Sequence, residues 1–362
     1  MRARLRGWGE QVFRRLPISR VAYWRADALQ ARLDALAPLP SEPDFAALGG
    51  AAQVARYAPR DLQSLVPVMR TLEERVLMAT RCRDADGVPK VENAGAVVTE
   101  PDGTRVQIMH NGVKVIAGGY YGDWMQSLIT SCRGHHEPQE ETLFAELMNF
   151  LPNDAVMFEL GGFWSFYTVW FLSQSPGHRG FVVEADPAHL EIGRINARLN
   201  NCAPVFISAY AGSQPLPPAP FDTEASGTVE LPCVSVESLM ESHGLNRLDL
   251  LHCDAQGAEL AVLESLAGLA AAKRLDWVMV STHSHHITGD PLTHQRCLAM
   301  LCQLGAIIVA EHDVQESYSG DGLILARFKP LPEGWRTPRL SYNRSAESLF
   351  RNPLYDLAQA KT

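Results

Sequence analysis

The strongest constraint on how this chain folds is a regular alternation of helical and strand-like patterns that begins after Glu137. Apolar residues recur at helical spacing over 140–151, and 155–160 is a short apolar run. A helix pattern at 167–174, a strand at 180–184, a helix at 187–200 and a strand at 205–210 follow. The series continues with a helix at 235–243, a strand at 248–253, a helix at 258–272 and a strand at 276–282. Such alternation predicts an α/β fold in which helices cover both faces of a parallel sheet. The end of the series differs. Strand-like runs at 306–311 and 323–328 are joined by a connection containing Ser317 to Gly322, too short for a crossover helix. This last pair is therefore expected to be antiparallel.

Upstream of the alternation the pattern is helical and irregular to about residue 90, with apolar residues at helical spacing over 26–36 and 61–80 and a Pro-rich stretch at 38–43. Three short β-type runs follow at 96–99, 105–108 and 113–117, separated by Asp102-Gly103 and Asn111-Gly112. Those dipeptides supply the positive φ that tight hairpin turns require, which predicts a small meander. It ends in an aromatic segment, Gly118 to Trp124, where Tyr120, Tyr121 and Trp124 sit as a lid or acceptor-recognition element. The expected organisation is a helical extension at 1–94, the meander and lid segment at 95–134, the α/β domain at 135–330 and a tail at 331–362 that packs back or mediates association. A homo-oligomer stays open.

The chain has 362 residues and a net charge of −9, which argues against the phosphate backbone of a nucleic acid as partner. Arg2, Arg4, Arg6, Arg14, Arg15 and Arg20 concentrate positive charge at the amino terminus, and the reading favours a solvated helix face over an anionic-surface contact. No apolar run reaches the length of a membrane span. The seven cysteines lack paired spacing and read as reduced, mostly buried small hydrophobes of a cytoplasmic protein.

Two strand ends carry the chemistry. The run from Val156 to Ser165 places Glu159 near a strand tip, followed by Gly161 and Gly162 before a helix begins. In an open α/β sheet, ligands bind beyond the carboxyl ends of the strands, and glycine lets a ligand approach the backbone. About one βαβ unit later, Phe181 to Pro187 is a strand ending in Glu184, where a carboxylate can accept both hydroxyls of a ribose. A pyrophosphate would be repelled by Glu159, whereas an ammonium would be held by it. The electrostatics thus favour S-adenosylmethionine over NAD.

These runs, together with Asp249 to Glu259 and the upstream His136 to Glu141, resemble the FkbM family of S-adenosylmethionine-dependent methyltransferases over about residues 135–330. The resemblance implies a Rossmann-like, seven-stranded class I sheet with its last strand antiparallel, and O-methylation of a sugar or natural product. It implies cofactor contacts from Glu137, Glu159, Gly161, Gly162, Phe163, Trp164, Ser165, Glu184 and Ala185. The sequence departs from the family pattern at Ser165, where a third glycine is usual, and at Gln256, where an acid is usual. Gln256 cannot act as a base.

Asp254 ends the fourth strand, where it orients or deprotonates an acceptor hydroxyl, binds a metal, or caps the following helix. If strand geometry persists through Ser281 to His286, His283 and His285 face one side and offer a general base. With Asp254 and His312 they could also hold a divalent metal, which is left open. The small-molecule acceptor remains unspecified. Rival readings are an NAD-dependent oxidoreductase and a non-catalytic binding or assembly protein on the same fold.

Overall fold

Strand β4 (Val156–Leu160) lies inside the sheet and is buried along its whole length, as expected of a run that is apolar but for Glu159 in a strand covered on both faces. The computed structural model describes residues 72–343 except 291 and 315. The helix expected at 26–36, the Pro-rich stretch, the basic amino terminus and the end of the tail lie outside the described residues. Helix α1 (Leu72–Arg81) covers the last part of the helix expected at 61–80.

After α1 and a short 3-10 turn come β1 (Val97–Thr99), β2 (Arg105–Ile108) and β3 (Lys114–Ile116), an antiparallel meander. The turns between them form by another route than expected. Gly103 and Gly112 take φ of 88° and 87°, but Asp102 and Asn111 stay outside the positive-φ region. Each instead accepts a backbone N–H with its side chain, from Thr104 at 2.9 Å and Val113 at 3.0 Å. Helix α2 (Asp123–Ser131), which the sequence reading did not anticipate, follows the aromatic segment and precedes α3 (Pro138–Met148).

The main sheet then follows the alternation: β4, α4 (Phe166–Gln174), β5 (Arg179–Glu184), α5 (Pro187–Leu199) and β6 (Val205–Ser208). An insertion, β7 (Tyr210–Ala211), β8 (Leu216–Asp222) and β9 (Thr228–Val234), forms its own three-stranded sheet. Beyond it lie α6 (Val236–Ser242), β10 (Leu248–Cys253), α7 (Glu259–Glu264), α8 (Ala267–Ala271) and β11 (Leu275–Thr282). The single helix expected at 258–272 is thus two. The described chain closes with α9 (His285–Thr288), α10 (Thr293–Gln303), β12 (Ile307–His312) and β13 (Gly322–Arg327).

Seven strands run in the order β12-β13-β11-β10-β4-β5-β6. Strand β13 is antiparallel to both neighbours, and the other pairings are parallel. Alternate residues feed two cores. Met157, Leu250 and Trp277 pack with Leu143, Phe144 and Val169 on one face; Phe158, Leu251 and Val278 pack with Leu239, Val262 and Leu301 on the other. The chain leaves β4 in one direction along the sheet and returns to its other side at β10, which creates a switch point between their carboxyl ends.

The meander is bonded to this domain. Asn200, at the C-cap of α5, accepts from Lys114 N at 2.9 Å and Asn196 from Ile116 N at 2.8 Å, while Asn196 Nδ2 donates to Trp164 O at 2.8 Å. Asn196 is fully buried and joins meander, α5 and the loop after β4. Asn196→Ala strands two backbone partners, the buried Trp164 carbonyl and the half-buried Ile116 N–H, and a loss of about 2 kcal/mol in denaturant unfolding is expected. An unchanged midpoint would show that the meander docks without it.

Among the described residues no helix is long and apolar enough to cross a membrane. All seven cysteines are unpaired; four are buried, Cys132 and Cys202 are half-buried and Cys302 is exposed.

Candidate active site

A cleft of about 360 Å³ opens at the switch point, walled by the loops after β4, β5 and β10 and by the aromatic segment before α2. Its first wall is the turn Gly161 to Ser165. Gly161 and Gly162 both donate their N–H to Val183 O, at 2.9 and 3.1 Å. Gly161 has φ of +79°, and a Cβ there would lie 1.8 Å from Asp254 O; at Gly162 one would lie 2.3 Å from Val182 Cγ1. The close approach that demands glycine is therefore that of the β10 loop and β5, whereas the sequence argument assigned it to a ligand. Tyr121, Phe163, Ser165 and Gln256 hold φ of 49°, 32°, 59° and 40° around the cleft. Such conformations cost about 1–3 kcal/mol each and collect at functional sites. The left-handed φ at Ser165 is also the physical reason a glycine suits that position.

Two carboxylates on the cleft wall are buried. Glu184 accepts from Phe163 N at 2.9 Å and Asp186 N at 2.7 Å, and Glu159 accepts from Thr168 N at 3.0 Å in the first turn of α4. Burial pushes each carboxyl up to about 7. Glu137 lies behind, 3.1 Å from His136 Nε2 and 3.4 Å from Tyr167 Oη, and burial raises it to about 7 as well. Buried carboxylates held this high lack sufficient donors and positive charge. A ribose diol and an ammonium supply both, so the residues present fit S-adenosylmethionine.

The remaining cofactor candidates divide. Ala185, Phe163 and Trp164 line the cleft. Phe163 stacks on His189 at 3.5 Å, and Trp164 stacks on Tyr120 at 4.3 Å, which ties the aromatic segment to the loop. Ser165 is fully buried and not on the cleft wall, and its Oγ has no hydrogen-bond partner. The insertion adds Phe221 to Glu224 to the rim, anchored where Asp186 accepts from Ala225 N and from Ser226 N and Oγ. Its strand β8 went unread because three prolines interrupt any alternation; they are tolerated on an edge strand.

Beside the cleft, β10 and β11 present the acceptor-side groups. Asp254 Oδ1 lies 3.0 Å from His283 Nε2. Two carboxylates that sequence reasoning missed complete the group: Glu259 Oε1 at 2.5 Å from His283 Nδ1, and Asp321 Oδ1 at 3.8 Å from Nε2. Glu259 stood within the Asp249 to Glu259 motif; Asp321, on the β12–β13 connection, carried no signal. His285 does not continue the strand, which ends at Thr282; it opens α9, so the alternation that would place it beside His283 stops first. His312 is buried with Nδ1 3.1 Å from Asp313 O, and burial lowers it to about 4.

A second polar layer lies under α3. Glu140 bonds His252 Nε2 at 2.6 Å and Ser281 Oγ at 2.7 Å, and His252 lines the cleft next to Glu159 on the neighbouring strand. Glu141 faces His135 Nδ1 at 2.6 Å, His136 Nδ1 at 2.7 Å and His110 Nδ1 at 3.1 Å. Among the described residues, His110, His135 and Glu141 are the group whose ligand atoms lie within 4.8 Å of one another. The two imidazoles are stacked, 4.2 Å apart and 14° from parallel. An ion in the plane of one ring would lie out of the plane of the other, so the arrangement suits shared protons better than a metal.

The seven-stranded sheet with an antiparallel last strand is a Rossmann-like methyltransferase fold, and the carboxylate-lined cleft lies at its switch point. Residues 148–308 match the methyltransferase FkbM domain, so this stretch of the chain carries a methyltransferase domain of that type. No curated protein matches it in sequence. Similar solved structures include precorrin-6y C5,15-methyltransferase from Geobacter metallireducens, at 14% identity over 52% of this chain and 87% of that one, with a TM-score of 0.34. M. capricolum TrmK, in complex with S-adenosylhomocysteine, is 9% identical over 52% of this chain and 71% of that one, with a TM-score of 0.34. The bifunctional kinase-methyltransferase WbdD is 14% identical over 54% of this chain and 41% of that one, with a TM-score of 0.35.

Proposed function

We propose that the chain transfers the methyl group of S-adenosylmethionine to a hydroxyl of a small molecule. The observation that carries the reading is a cleft lined by Glu159, Glu184 and Asp254, with the buried His283 paired to Asp254 behind its wall. Glu184 would hold the ribose and Glu159 the ammonium, with Glu137, which does not line the cleft, adding negative charge behind them. The bound cofactor supplies an activated methyl on a sulfonium. The chain's own residues align a hydroxyl with it, accept the hydroxyl's proton and exclude water under Tyr120 and Tyr121. The acidic, aromatic lining suits a neutral polyhydroxylated acceptor such as a sugar, and no nucleic acid is invoked.

Calorimetric titration with S-adenosylhomocysteine and, separately, NAD tests the cofactor half of this reading. Binding of the former alone is expected; binding of NAD alone would favour an oxidoreductase. Labelled S-adenosylmethionine and a panel of sugars and phenols test the acceptor half, and cofactor binding without turnover on any of them would favour a non-catalytic role.

The raised carboxyls also predict a pH dependence. In the free protein Glu159 and Glu184 take up a proton as pH falls through about 7, whereas holding the ligand needs them ionised. Affinity for S-adenosylhomocysteine is therefore expected to be full above pH 7 and to weaken below it, up to about tenfold per pH unit for each carboxylate that must lose a proton. Glu159→Gln should flatten the slope. Affinity that rises on acidification would reverse the sign and remove these groups from the site.

A further inference from the structure

His283 has a carboxylate on each side of its ring. Nδ1 faces Glu259, while Nε2 faces Asp254 and, further off, Asp321. A neutral imidazole carries one N–H and one lone pair, so one of its nitrogens would set a lone pair against a carboxylate oxygen. The imidazolium alone offers a donor on both sides. Glu259 is fully buried, and Gly257 N donates to its two oxygens at 2.9 and 3.0 Å. That N–H belongs to the turn that carries Asp254, so one carboxylate orients both the ring and the acidic turn. Each element packed on the ring brings an acid: Asp254 after β10, Glu259 in α7 and Asp321 before β13. Arg75 and Glu140 act on Asp321 from further away with opposite signs. Although burial opposes charge, the three carboxylates hold the His283 ring well above the usual imidazole range.

We propose that Glu259 is a positioning residue that keeps His283 a standing imidazolium, so that the acceptor's proton goes to a carboxylate of the Asp254–Asp321 pair and not to the ring. This rests on the methyl-transfer reading above. In the step, the acceptor oxygen bonds to the methyl carbon as the carbon–sulfur bond breaks and its electron pair stays on sulfur. The hydroxyl proton passes to the carboxylate, so the positive charge lost at sulfur is balanced by the negative charge neutralised on the acid. Asp321 is the freer member of the pair, because Asp254 is engaged by His283 Nε2. Burial raises the Asp321 carboxyl to about 6 against the pull of His283, which brings its proton affinity nearer to neutral pH.

The test is nuclear magnetic resonance on the full chain labelled with ¹⁵N in histidine, with and without S-adenosylhomocysteine, from about pH 5.5 to 9.5. His283→Gln identifies the signal. Both ring nitrogens of His283 are expected to keep protonated shifts well above the usual imidazole range, and in Glu259→Gln the ring should titrate at least about one pH unit lower, a tenfold loss of proton affinity. A neutral His283 ring at pH 7 in the native chain overturns the proposal. So does an unmoved titration in a folded Glu259→Gln chain. If that variant does not fold, Asp254→Asn, in which the same downward displacement is expected, takes its place beside the native titration. Calorimetry on the same samples reports cofactor binding independently, so a failure of the methyltransferase reading is distinguishable from a failure of this one.

Discussion

Gly161→Ala is expected to abolish S-adenosylhomocysteine binding, weakening it more than about 100-fold, which corresponds to about 2.7 kcal/mol. The added Cβ would meet the Asp254 carbonyl oxygen at 1.8 Å, and that neighbour is backbone, so no rotamer change can relieve the overlap. The φ of +79° adds about 1–2 kcal/mol for a residue bearing a Cβ. The loops after β4 and β10 must separate, which removes Asp254 from its place beside His283 and opens the cleft between them. Calorimetry gives the affinity, and a thermal melt should record a loss of several degrees in a chain that still unfolds cooperatively. Native affinity in the alanine variant would show that the two loops are not held in contact.

The second large effect is expected at Glu184. Its carboxylate accepts the Phe163 and Asp186 N–H groups and thereby sets the shape of both cleft loops before any ligand arrives. Glu184→Ala leaves these two N–H groups without their acceptor and removes the proposed ribose contact. At about 1.5–3 kcal/mol for a hydrogen bond to a charged group, affinity for S-adenosylhomocysteine should fall about 100-fold or more. Glu184→Gln keeps the size and one acceptor oxygen and should recover part of that loss. If alanine at this position bound as tightly as glutamate, the ribose would have to be held elsewhere.

The alternation from β4 to β11 was legible because period-2 and period-3.6 burial leave their mark in the order of residues, whatever the tertiary arrangement. The antiparallel end was legible too, from a connection too short for a crossover. Helix α2 escaped notice behind an aromatic, Gly-rich segment, and β8 was hidden by its prolines. Neither presents a periodic apolar face long enough to read. His252 stood in plain view as a polar residue inside a buried strand, yet its partner Glu140 is 112 positions away. A pairing that distant is invisible without the fold.

The site divides in the same way. Glu159, Glu184, Asp254 and His283 sit at or beside strand ends, and strand ends follow from local pattern and are where an open α/β sheet binds ligands. The amino-acid sequence by itself therefore determined the sheet, the cofactor class that its acids favour and the address of the cleft. Only the tertiary structure decided which groups face one another there: Gly161 against the Asp254 backbone, Asn196 between meander and loop, and His283 held between Glu259, Asp254 and Asp321. The physical reason is range. Backbone periodicity acts over a few residues, whereas the charge and hydrogen-bonding state of a buried group is set by whatever the fold brings within a few ångströms of it.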